Sequence, residues 1–142
     1  MNKKPWILAA VAKAKHKVFD NGDYDLNIIG LRNPKGEPDK FDDLMFVCYK
    51  KNGLWQMESF QITTDPGMHF LKNPANVNGT AILKAGQYRG VYRIGKHRGK
   101  YSAGCQVFKR AEDLDRLLWL CQMQIKTHKW PTFTYTLLDK KK

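Results

Sequence analysis

Between Pro66 and Ala111 the chain contains no aspartate and no glutamate. That stretch holds Lys72, Lys84, Arg89, Arg93, Lys96, Arg98, Lys100, Lys109 and Arg110, nine cations against a formal net charge of +12 for all 142 residues. Other absences narrow the field. No apolar run approaches the ~20 residues that span a bilayer, so a transmembrane helix is not expected. No CxxC pair or Cys/His ladder is present, so a structural zinc site is not expected. Three cysteines cannot all pair within one chain. Cys48 in LMFVCYK and Cys121 in RLLWLCQM sit on apolar runs and read as free core thiols, which fits synthesis in a reducing compartment.

An apolar fraction of 42% and an aromatic fraction of 12% suit a folded chain of a single domain, residues 1–142. Its basicity points to anionic partners: nucleic acid, an acidic membrane face or an anionic cell-wall polymer.

The start, MNKKPWILAAVAKAKHK, imitates a secretory signal. Its apolar run is short, however, and Ile7, Val11, Ala14 and Val18 continue at helical spacing behind Pro5. We therefore expect an amphipathic helix within residues 1–20 and no signal peptide; the compartment of action is left open between cell wall and virion. Residues 25–139 read as β-rich. Leu26–Leu31, Leu44–Tyr49, Trp55–Thr63, Ala81–Leu83, Gly90–Ile94, Gln106–Phe108 and Thr132–Leu138 are the expected strands. Asn52-Gly53 marks a hairpin between the second and third of them. Leu114, Leu117, Leu118, Cys121 and Ile125 predict a long helix. Trp119, Leu120 and Met123 widen its apolar surface, and Glu112, Asp113 and Asp115 crowd its start, where the helix dipole favours anions. The expected class is α+β: a mostly antiparallel β-sandwich or partly closed sheet with two packed helices.

Two motifs fail on inspection. Gly90 to His97 approaches a P-loop, but His97 stands where magnesium binding needs Ser or Thr. Asn78-Gly79-Thr80 is a formal glycosylation sequon that a turn explains equally well. Aromatic and basic residues interleave at Tyr88-Arg89, Tyr92-Arg93 and Lys100-Tyr101, a pattern shared by single-strand nucleic-acid platforms and by half-buried strands with a basic outer face.

Ser102-Ala103-Gly104-Cys105 differs from these. A sharp bend at Gly104 exposes a thiol and turns backbone N–H groups toward a bound carbonyl oxygen. Arg98, Lys100, Lys109 and Arg110 favour its thiolate. A cysteine nucleophile also needs a base, and His97 lies eight residues upstream. His69 lacks a motif, and His16 and His128 flank helix ends.

SAGCQVF, followed by an acidic-start helix and a final strand, resembles the end of an L,D-transpeptidase catalytic domain. From about Leu26 onward, LNIIGLRNP, FVCYKKNGLWQ, ITTDPG and the stretch through IGKHRGKY are similar to domains encoded by bacteriophages of gut bacteria. The resemblance implies a transpeptidase-like fold and no cofactor or metal. It makes Cys105 the nucleophile, Gly104 the turn residue and Ser102 an ordering group; His97 is the candidate base by its place upstream of Cys105, although the family's base is usually about twice as far away. Arg98, Lys100, Tyr88 and Tyr101 are the expected substrate-side residues. The implied substrate is a peptidoglycan stem peptide, acylated onto the enzyme and passed to an amine or to water. The chain departs from the family at Ala103, where a second histidine is usual. It departs again at Gln106-Val107, which replaces an apolar-Arg pair, and in the short spacing from His97 to Cys105. Two alternatives follow: an inactive cell-wall-binding or virion protein that keeps the fold, and a basic nucleic-acid-binding module.

Overall fold

The computed structural model describes residues 3–32, 43–63, 85–92, 94 and 107–139. They form helix α1 (Trp6–Lys13), strands β1 (Asn27–Arg32), β2 (Asp43–Lys51), β3 (Leu54–Thr63), β4 (Gly86–Tyr92) and β5 (Val107–Phe108), helix α2 (Ala111–His128) and strand β6 (Phe133–Asp139). The strands make one mixed sheet in the order β4-β6-β1-β2-β3-β5. Only the β1–β6 pairing is parallel; the other four are antiparallel.

The α+β class with two helices is thus present, but the described strands lie in a single open sheet rather than in two facing ones. Side chains on a strand alternate between faces. On β1, Ile28 joins one apolar cluster and Ile29 the other. The first cluster takes Met45, Val47, Phe60 and Tyr135 from the sheet and Leu117, Leu120 and Cys121 from α2. The second takes Phe46, Cys48 and Leu138 from the sheet and Ile7, Leu8 and Val11 from α1. One helix therefore covers each face, which replaces the second sheet of a sandwich.

The β2–β3 hairpin forms as expected. Asn52 and Gly53 both have positive φ, 54° and 78°, the combination a two-residue turn requires to match strand twist. Asp23 docks that turn onto the loop before β1, its carboxylate accepting from the backbone N–H of Asn52 (2.7 Å) and of Gly53 (2.9 Å). The fourth strand begins at Gly86, earlier than expected, and Ala81–Leu83 falls outside the described residues. On α2 the buried residues are Leu117, Leu120, Cys121 and Gln124, while Trp119 is 44% exposed. The buried stripe is thus turned from the expected one and includes an amide. No helix among the described residues is long and apolar enough to cross a membrane.

Gly30 fits one neighbour. A Cβ there would meet the Tyr135 hydroxyl at 1.9 Å and its Cζ at 2.8 Å. Tyr135 is fully buried on the adjacent strand, so its ring has nowhere to retreat. Overpacking of this kind costs about 2–3 kcal/mol. Gly30→Ala is expected to lower stability in urea by that amount, and Tyr135→Phe, which removes the nearest atom, to recover part of it in the double variant. Additive losses would show that the two positions do not compete for space.

Candidate functional site

Of the expected site residues, Cys105, His97, Ser102, Gly104, Arg98, Lys100 and Tyr101 lie outside the described residues, as does His69. Tyr88 is described: it sits on β4 opposite Tyr135, half-buried, and packs against the α2-side core. Among the described residues, β4 ends at Tyr92, on one edge of the sheet and level with the start of β6. β5 begins at Val107, paired with Thr63 at the end of β3, on the opposite edge.

Tyr92 and Val107 thus lie on opposite edges of the described sheet, five strand steps or about 24 Å apart across the strands.

The other two thiols are core residues. Cys48 and Cys121 are both fully buried, and burial pushes the Cys48 thiol up to about 12.

Sequence reasoning missed an open cleft of about 310 Å³ at the end of the sheet where β1 and β6 begin. Its walls come from separated segments: Lys17 and Phe19 after α1, Asp25 before β1, Gly90 on β4, Gln124 on α2, and Trp130 and Thr132 before β6. Trp130 stacks on His128 with ring centroids 4.2 Å apart and planes 10° from parallel. His128 is held in turn, its Nε2 2.7 Å from the carbonyl oxygen of Asp23. It is not the free surface residue its position at a helix end suggests. Lys17 is fixed at its backbone, where the Gln87 side chain bonds both its N–H and its carbonyl. Its ammonium lies 5.4 Å from the centre of the Phe19 ring.

Asp25 is 5% exposed. Its Oδ2 accepts from the backbone N–H of Asn21 (3.0 Å) and from Asn21 Nδ2 (2.9 Å), and its Oδ1 receives no bond from any described residue. Asp25 lines the open cleft, so its carboxylate is placed to accept from a donor bound there. No group of three or more His, Cys, Asp or Glu that could hold a metal ion occurs among the described residues.

A second polar cluster lies on the α2 side of the hairpin. The Tyr49 hydroxyl donates to Glu58 Oε2. Arg116 grips the same carboxylate with two nitrogens, at 2.7 and 2.8 Å, while its guanidinium lies over Trp119. Tyr24 stacks on Tyr49 and meets Trp119 edge-on. Burial raises the Glu58 carboxyl, but the bonds from Arg116 and Tyr49 outweigh it and hold the group below its usual range. Burial, then the bond to Glu58, raises the Tyr49 hydroxyl. Every charge here is answered within the cluster, so we read it as a clamp between helix and hairpin.

No family model matches the chain, and neither the curated proteins nor the solved structures contain a match to it.

The clamp has a pH signature. A carboxyl depressed in the folded state adds stability above its unfolded value of ~4.3, and that stability is lost as pH falls through the folded value. Glu58→Gln is expected to cost about 1 kcal/mol at pH 7, the scale of a well-formed but partly exposed pair, and to flatten the fall in stability below pH ~4.5 in acid-urea titrations. An unchanged acid slope would mean that the pair contributes nothing to folding.

Proposed function

We propose that this chain is a cysteine-dependent acyl-transfer protein of L,D-transpeptidase type, acting on peptidoglycan stem peptides. The observation that carries the reading is the order of elements after SAGC. Val107–Phe108 is an edge strand paired with β3, α2 follows at once with Glu112 and Asp113 in its first turn, and β6 closes the domain beside β1. An acidic-start helix and then a final strand are what the resemblance calls for after SAGCQVF. In the sequence Cys105 stands two residues ahead of Val107, the first residue of β5.

In this reading the Cys105 thiolate attacks the amide carbon between an L- and a D-centre. The carbonyl oxygen becomes an oxyanion held by backbone N–H groups, the Cys105 N–H among them. The C–N bond breaks, and the departing amine takes the proton that His97 accepted from the thiol. The resulting thioester passes to an amine, giving a crosslink, or to water, giving a shortened peptide. No cofactor enters. Lys109 and Arg110 are exposed just beyond the site and, with Arg98 and Lys100, favour thiolate and an anionic wall polymer.

The short spacing from His97 to Cys105 in the sequence favours one second reading: an inactive wall-binding or virion protein that keeps the fold without the dyad. The rate of alkylation against pH separates the two. Cys48 and Cys121 are buried and are replaced by Ala so that the rate reports Cys105 alone. An active site predicts a midpoint well below the free-thiol value of ~8.5, moved upward by His97→Ala. A midpoint near ~8.5 that His97→Ala leaves alone would falsify the nucleophile assignment and leave the binding role.

A further inference from the structure

The cleft at the β1–β6 end carries an inference independent of Cys105. Its composition restricts what it can hold. The buried Asp25 carboxylate, with Oδ1 unpartnered, disfavours an anion and asks for a hydrogen-bond donor. Lys17, which also lines the cleft and forms no ion pair among the described residues, brings a positive charge that disfavours a simple cation. Trp130 is 41% exposed, yet its ring is not loose: His128 backs it, and the Asp23 carbonyl fixes His128. The indole is therefore a preorganised flat surface that loses little freedom on binding. A neutral ligand with hydroxyl donors on its edge and an apolar C–H face meets all three demands. A pyranose ring has that shape, and about 310 Å³ is the small end of ligand sites, room for one such ring with its neighbours left in solvent.

We propose that this cleft binds one sugar ring of a neutral saccharide. The C–H face of the ring packs on the Trp130 indole, and a ring hydroxyl donates to Asp25 Oδ1. The Thr132 side chain and the Lys17 ammonium border the ring as further hydrogen-bonding groups.

The test is a titration of the ¹⁵N-labelled protein with three neutral oligosaccharides, of N-acetylglucosamine, of glucose and of mannose, each to about 20 mM, with alanine as a zwitterionic control. At least one saccharide is expected to give saturable shifts at the Trp130 indole N–H and at the amides of Leu26, Gly90 and Thr132. The expected Kd is near the millimolar range, ordinary for a ligand of this size. Trp130→Ala is expected to weaken binding about tenfold with the thermal midpoint kept, and Trp130→Phe to hold it within about threefold. Asp25→Asn, judged on spectra that confirm its fold, is expected to weaken it as well. The proposal is overturned if none of the three saccharides shifts the cleft, if Trp130→Ala leaves the shifts intact, or if alanine saturates the same signals. The readout is binding alone, so failure here leaves the cysteine reading standing, and a failed cysteine assay leaves this one.

Discussion

The buried amide of Gln124 joins three parts of the fold. Its oxygen accepts from the backbone N–H of Leu26, just ahead of β1, and its nitrogen donates to the carbonyls of Trp130 and Thr132, just ahead of β6. One side chain near the end of α2 thus ties the helix to the starts of the two strands that pair in parallel. Parallel neighbours cannot be joined by a tight turn, so their register needs such outside support. The amide is 4% exposed and both its polar atoms are used. An apolar side chain of similar size would strand one N–H and two carbonyls, each at about 1–3 kcal/mol if kept from water. Asn27 does similar work on the other side of the sheet entrance: it bonds both polar groups of Phe19 and donates to the Cys48 carbonyl, fixing the segment that follows α1.

These ties explain where the cleft sits. Asp23 to Leu26 receives the hairpin turn, the C-terminal end of α2 and the start of β1 within four residues. Segments that meet through polar groups leave a gap that apolar side chains would have closed. Asp25, Trp130 and Lys17 border that gap on backbone already immobilised for folding.

Local chemistry made much of this legible in advance. Alternating apolar runs marked β1, β2, β3 and β6 to within two residues, and Asn52-Gly53 marked the hairpin because few other pairs tolerate two positive φ values. Glu112 and Asp113 marked the start of α2. What sequence could not show is non-local. Nothing in LNIIGL and TFTYTLL says that they pair in parallel, and without that pairing a sandwich is as reasonable as a single sheet covered on both faces. The burial of Gln124 is set by partners 98 residues upstream and 8 downstream, which no local pattern reveals. Gly30 gave no hint of the Tyr135 hydroxyl above it. The cleft residues are scattered from Lys17 to Thr134, so no local motif marks them.

The claim most exposed to experiment is that Cys105 carries an acyl group. Incubating the protein with soluble stem peptides that contain an L–D amide, quenching in acid and mapping by mass spectrometry looks for the thioester directly. The account predicts an added acyl mass on the peptide that carries Cys105, absent from Cys48 and Cys121 and lost in Cys105→Ala. An unmodified Cys105 together with unaltered stem peptides would contradict it.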